Sequence, residues 1–382
     1  MKKLLVVLLC FVMVFAVCSC GDNGGNEEVS EACLTIGGIG PTTGGAAMYG
    51  LAVKNGAQIA VDEINEKEGK TVINYLFEDD THDPEVSVNA YNKLMDKGMQ
   101  ILMGTVTSGP CAAVSGKTFS DRVFELTPSA SAPAVTEGKD NVFQMCFTDP
   151  NQGKTAADYI FENKLATKVG IIYNNSDAYS TGLYTGFVNE AKVLGLEIVA
   201  EEAFPSDDTA NFDTQIMACQ NAGADLVFLP IYYTPVSLIL AQAKNMNYSP
   251  VFFGGDGLDG LLALEGFDSS LADGVYLITP FNPYTTGKDF AAKYQSLFNE
   301  TPNQFAADGY DCVYAIWDAF NKAGCTFDMS AEEICEAMIP YFTGEFTFNG
   351  LTGNDMTWST NGEVAKAPIV CMIKDGAYAD LK

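Results

Sequence analysis

Few side chains in this sequence are suited to chemistry, and their placement is uneven. It has one histidine, His82, and one arginine, Arg122. A Ser-His-Asp triad, a Cys-His pair or a multi-histidine metal site would each have to rest on His82 alone, and no serine stands in Gly-x-Ser-x-Gly. No general base or nucleophile is in evidence, so no enzyme activity is expected. The sequence does place hydroxyls and an acid at the ends of apolar runs. Thr107-Ser108-Gly109-Pro110 follows one run and opens a helical stretch. Hydroxyls and backbone N–H groups at the positive end of a helix suit a carboxylate. Ser129-Ala130-Ser131 lies between Pro128 and Pro133, a turn-forming setting. Asp256 ends Phe252-Phe253-Gly254-Gly255, and only this position singles it out among 49 acids.

Other chemistries are excluded. The loop from Gly37 to Gly45 has Thr43 where a dinucleotide fingerprint needs a small residue, and Pro41 falls inside it. Gly-x-x-x-x-Gly-Lys-Ser/Thr is absent, so no nucleotide and no cofactor are expected. Of the 11 cysteines, Cys10, Cys18 and Cys20 belong to the N-terminal segment. The other eight form no Cys-x-x-Cys and lack histidine partners, so no metal site is expected. Most read as small buried hydrophobes, and Cys325 and Cys335 are close enough in sequence to pair.

The 49 acidic against 21 basic residues give a net charge of −28, which disfavours nucleic acid as a partner. With 47% hydrophobic and 18% charged residues among 382, the chain can build a large core and more than one domain. Lys2, Lys3 and the apolar run Leu4–Val17 read as a signal peptide over residues 1–19, too short to span a membrane. Val17-Cys18-Ser19-Cys20 resembles a bacterial lipobox, with Cys20 as the lipid-bearing first mature residue. Residues 20–31 read as a polar tether.

From Leu34 onward, short apolar runs alternate with amphipathic stretches. Strands are expected at 34–38, 71–77, 100–104, 123–126 and 142–145, with helices at 49–66 and from Pro84 to Lys97. A second series starts near Asn151, with strands at 169–173, 196–203, 226–229, 251–254 and 275–279. Helices are expected at 287–299, 305–323 and 331–339, and two late strands at 344–348 and 369–374. This alternation predicts an α/β fold of two doubly wound, parallel-sheet lobes. Ligands of such sheets sit beyond the carboxyl ends of strands, which is where the residues above lie.

The strand followed by Gly38-x-x-Pro41-x-x-Gly44, then Tyr49-Gly50 opening a helix that reaches Asp62-Glu63-Ile64-Asn65, resembles the leucine/isoleucine/valine-binding protein family. Asp79-Asp80-x-x-Asp83-Pro84, Gly104-Thr105-Val106-Thr107-Ser108 and Thr127-Pro128-Ser129-Ala130-Ser131-Ala132-Pro133 are similar to its next three strand exits. The resemblance runs from about Leu34 to the C-terminus. It implies the periplasmic-binding-protein type I fold, with lobes of residues 32–148 plus 281–344 and 149–280 plus 345–382. A three-segment hinge is implied near 146–151, 279–283 and 341–349. The archetypal leucine binder carries a disulfide between its second and third strand exits; His82 and Thr107 stand there instead, and His82 is expected to cap or pack in a loop.

The resemblance also implies a site. Thr107 and Ser108 would face the ligand carboxylate. The Ser129 carbonyl would take the ammonium, and the Ser131 N–H and hydroxyl the carboxylate, with Ala130 between them. Asp256 stands where the family often has an acid against the ligand amine. Tyr49, Tyr179 and Tyr232 would line the pocket, with Phe305 as a further apolar wall; Tyr233 competes with Tyr232 for the inward position. The implied function is capture of a small, branched or otherwise apolar amino acid for ABC transporter permease subunits, by a monomer held at the outer face of a bacterial membrane by lipid on Cys20. The same fold with an amide, an aromatic acid or a sensory role is the alternative.

Overall fold

The computed structural model describes residues 32–285 and 287–381. Cys20, the signal peptide and the tether lie outside the described residues. The first series is β1 (Leu34–Gly40), α1 (Ala47–Glu68), β2 (Ile73–Asp79), α2 (Pro84–Asp96), β3 (Ile101–Gly104), α3 (Ser108–Asp121), β4 (Phe124–Thr127) and β5 (Val142–Gln144). The five strands form one parallel sheet in the order β2-β1-β3-β4-β5. Local chemistry fixes the helix ends. Asp83 accepts the N–H groups of Glu85 and Val86 and Pro84 starts α2, while α1 stops at Gly69 in the left-handed region, φ 69°.

The second series is α4 (Asp149–Glu162), β6 (Lys168–Asn174), α5 (Ala178–Leu194), β7 (Glu197–Phe204), α6 (Asp213–Ala222), β8 (Leu226–Leu229), α7 (Tyr233–Asn245), β9 (Val251–Gly254) and β10 (Tyr276–Thr279). The chain then returns to the first lobe with α8 (Lys288–Phe298), α9 (Gln304–Lys322) and α10 (Ala331–Phe342), and ends with β11 (Ile369–Lys374) and β12 (Ala377–Asp380). The second sheet has seven strands in the order β12-β11-β10-β9-β8-β6-β7. It is mixed, not wholly parallel, because β11 pairs antiparallel with β10 and with β12. The protein is thus a two-lobed α/β structure whose lobes are joined by hinge segments.

Helices α1 and α9 pack closely in the first lobe, because Gly56 has no side chain: a Cβ there would lie 1.9 Å from the Ala306 carbonyl oxygen. One acid of α1, Glu63, ties it to α8 by an ion pair and to α9 by hydrogen bonds. Lys293 Nζ lies 2.6 Å from Glu63, which also accepts from the Tyr310 and Tyr314 hydroxyls.

The expected strand at 344–348 does not form; Phe348 makes only an isolated bridge to Met356. The alternating apolar residues there bury rings instead: Phe346 stacks on Phe342 and Trp358. This segment stays against the first lobe well past 345. Trp358 Nε1 donates to the Gln144 carbonyl at 2.8 Å, and Gln144 N–H to Gly362 at 2.9 Å. Lys366, buried, donates to Asp308 of α9 (2.9 Å), to Thr352 (2.7 Å) and to the Met145 carbonyl (3.1 Å). The chain joins the second sheet only at Ile369. The eight cysteines from Cys33 to Cys371 are in no disulfide, so Cys325 and Cys335 are unpaired.

Candidate functional site

The strand exits of the two sheets face each other. The turn after β4 is held by its own polar groups: Thr127 Oγ1 accepts from the Ala130 N–H at 3.0 Å, and Ser129 Oγ donates to the Val106 carbonyl at 2.6 Å. The Ala130 carbonyl accepts from Gln144 at 2.7 Å. Ser108, the first residue of α3, turns its hydroxyl oxygen to the N–H groups of Ser131 and Ala132, both at 3.2 Å. The Ser131 N–H, expected to face a ligand, is therefore engaged by Ser108. The Ser131 hydroxyl is buried and has no hydrogen-bond partner. Thr107 precedes α3 without capping it; its hydroxyl oxygen lies 2.9 Å from His82 Nδ1.

Aromatic rings bridge the lobes. Tyr49 of α1 sits among Phe305 (4.4 Å between centroids), Tyr233 (5.0 Å) and Tyr232 (5.5 Å). Its hydroxyl donates to the Gly257 carbonyl at 2.5 Å and accepts from the Tyr233 N–H at 3.2 Å. Tyr232 stacks on Tyr179 with centroids 5.0 Å apart and rings 10° from parallel, and meets the edge of His82. Tyr233 packs on Tyr49 and its hydroxyl accepts from the Met48 N–H at 3.3 Å. Both tyrosines thus touch the first lobe, and Tyr232 is the one stacked against Tyr179. Thr234 Oγ1 adds a bond to the Gly45 carbonyl at 2.8 Å.

Asp256 opens the short helical turn after β9 and is 4% exposed. No lysine or arginine pairs with it among the described residues. Burial pushes its carboxyl up to about 7, against the opposing pull of the Tyr179 hydroxyl and the Gln152 amide. Its backbone is clamped on both sides: its N–H donates to Gln152 Oε1 at 3.0 Å and its carbonyl accepts from Gln304 Nε2 at 3.0 Å. The Tyr179 hydroxyl accepts the next N–H, of Gly257, at 2.9 Å.

The structure gathers all ten expected residues at this interlobe surface, and adds others. Asp149 and Gln152, three apart on α4, are fully buried beside Ser131, whose carbonyl accepts the Asp149 N–H at 3.0 Å. Burial holds the Asp149 carboxyl well above the usual range, with Ser131 acting against the shift and Asp256 and Asp177 reinforcing it. The sequence signal was the pair of polar residues at the head of an amphipathic helix; Asp149-Pro150 reads as an ordinary helix start. His82 packs in its loop, as expected, but its ring also reaches the second lobe. Burial lowers its pKa, and Asp177 and Asp83 raise it.

A buried acid and hydroxyls within an aromatic-walled cleft, between lobes joined by a hinge, define a solute-binding protein. A family model described as periplasmic binding protein matches residues 34–376, and the chain belongs to that family. A Leu/Ile/Val-binding protein of Rhizobium johnstonii is 32% identical over 338 residues, 85% of this chain and 90% of the relative. A leucine-binding protein of Thermotoga maritima superposes with TM-score 0.82 at 27% identity, covering 91% of this chain and 98% of that one. A branched-chain amino-acid transporter substrate-binding protein of Streptococcus pneumoniae, in complex with isoleucine, gives TM-score 0.81 at 27% identity, over 91% and 97%. The chain is accordingly a non-catalytic, extracytoplasmic substrate-binding protein of the ABC-importer kind, with its site in the cleft between two lobes.

Proposed function

We propose that the cleft binds a small amino acid with an apolar, branched side chain and presents it to ABC permease subunits. One observation carries this reading: Asp256 is buried among aromatic rings with no cationic partner among the described residues. An ammonium would supply that partner, in a setting where a charged hydrogen bond counts for more than at a surface. The start of α3, with Ser108 and Thr107, offers donors for the carboxylate. Ser129, Ala130 and Ser131 form the turn against the polar end of the ligand, and Tyr49, Tyr179, Tyr232 and Phe305 wall the side chain. The names of the Rhizobium, Thermotoga and Streptococcus relatives support the same ligand class.

Residues 32–148 with 281–368, and 149–280 with 369–382, close as two bodies about the hinge, and the closed form is what the permease reads. Lipid on Cys20 and the 20–31 tether keep the monomer at the outer membrane face. A thermal-shift screen of the twenty amino acids tests the reading: leucine, isoleucine or valine raises the unfolding midpoint, since a ligand of the folded state alone must do so. No shift with any amino acid, and a shift with urea or benzoate, overturns it. Mass spectrometry of the membrane-extracted protein tests the anchor, which requires a diacylglyceryl group on Cys20.

A further inference from the structure

Among the described residues, seven buried side-chain atoms have no hydrogen-bond partner: Ser131 Oγ, both oxygens of Asp149, Gln152 Nε2, Tyr75 Oη, Asn141 Oδ1 and Gln144 Oε1. The first four belong to one place. Asp149 and Ser131 are joined through the backbone, and Gln152 holds the Asp256 N–H. Asp149 is also pressed against α5, where a Cβ on Gly182 would lie 2.5 Å from its Oδ2. Only the Ser131 hydroxyl lies beside this carboxyl to offset its burial, and no hydrogen bond of good geometry holds either oxygen; a buried carboxylate so poorly supplied with donors is costly and rare in stable folds. Here no lysine or arginine pairs with it among the described residues, and its acidic neighbours Asp256 and Asp177 make its charge dearer still. A packing role does not explain it, because an asparagine or a leucine would fill the space without that cost.

We propose that Asp149 is a second anionic contact for the ligand's amine, opposite Asp256, with the Ser131 hydroxyl beside it. This rests on the amino-acid reading above and sharpens it. A primary ammonium has three N–H donors; two carboxylates and one oxygen of the Ser129–Ser131 turn use all three. A secondary ammonium has two and must leave one acceptor buried and unpaired. The site therefore selects primary amines over N-alkylated ones, a discrimination built from unsatisfied acceptors more than from pocket size.

The experiment is calorimetric titration of the wild type and of Asp149→Asn with L-leucine and N-methyl-L-leucine, beside the unfolding midpoint of each ligand-free protein. The wild type should prefer leucine by about ten-fold or more, and Asp149→Asn should lose about 10- to 100-fold in leucine affinity. The preference over the N-methyl compound should shrink in the variant to within about three-fold. Asp149→Asn should also raise the ligand-free midpoint at pH 8, because it removes a buried acid that ionises less readily in the folded protein than in the unfolded chain. Unchanged leucine affinity, or an N-methyl penalty that persists in full, overturns the proposal while leaving the amino-acid reading standing. If no amino acid binds the wild type, that reading falls on its own. Asp149 is then judged by the ligand-free midpoints: a rise upholds an unpaired carboxylate kept for a cation, and a fall assigns it to the fold and overturns the proposal.

Discussion

The imidazole Nδ1 of His82 lies 2.9 Å from the hydroxyl oxygen of Thr107, so the second and third strand exits of the first lobe are joined by a hydrogen bond. In the leucine-binding archetype that this chain resembles, a disulfide does the same job. The substitution exchanges a covalent staple for a group that titrates. His82 adopts a left-handed backbone, φ 64°, which turns its ring toward Tyr232 of the other lobe.

His82 should therefore titrate below an ordinary histidine. As the sole imidazole of the chain, it gives an unambiguous proton NMR signal. Burial lowers its pKa while Asp177 raises it, so Asp177→Asn should move the titration lower still. A midpoint at or above about 6.5, the unperturbed value, would contradict the buried placement.

Binding of an amino acid should strengthen as pH rises. Below about 7 the Asp256 carboxyl holds a proton that an incoming ammonium must displace. Affinity for L-isoleucine should climb by up to ten-fold per pH unit between about pH 5 and 7, then level. Asp256→Asn should weaken binding by at least about thirty-fold and flatten the profile. A profile unchanged in that variant would move the amine elsewhere.

Glu125, in the centre of the first lobe, offers a test free of any ligand. It is fully buried, accepts from Thr118 Oγ1 and, at 3.3 Å, from Cys111 Sγ, and burial pushes it up to about 7. An acid whose folded pKa is raised binds its proton more tightly folded than unfolded. Its contribution is therefore complete below about pH 4 and declines as pH climbs through about 7. Asp80, Asp259 and Asp311, each raised to about 6, act in the same direction. Ligand-free stability should fall from pH 5 to pH 8 in urea unfolding. Glu125→Gln should recover roughly 1–3 kcal/mol at pH 8 and little at pH 5. Equal effects at both values would rule out this origin.

The buried pair of Lys366 and Asp308 should be indispensable as a pair and dispensable together. Lys366→Met leaves a buried carboxylate and should cost about 3–5 kcal/mol, read as a lower urea midpoint. Adding Asp308→Leu should return much of that loss. A double variant as unstable as the single one would show that the lysine contributes through Met145 and Thr352 instead.

The sequence was informative where local chemistry decides structure. Asp83-Pro84 marked a helix start, and the strand exits carrying Ser108, Ser129 and Asp256 were legible as positions. Residues placed by distant packing were not. Asp149 and Gln152 are polar heads on a helix until α5 and the β4 exit bury them. Phe346 and Phe348 alternate like a strand, yet their rings had Phe342 and Trp358 to meet, which no period discloses. The reach of His82 across the cleft depends on a backbone turn that its neighbours in sequence do not dictate.

Among the described residues, the Tyr49 hydroxyl bonds to the second lobe only through the Gly257 carbonyl and the Tyr233 N–H. Every residue type but proline carries both groups. Mutations that retune which guest is preferred can therefore accumulate on the far wall without disarming the clasp, and a lineage can change its diet while keeping its grip.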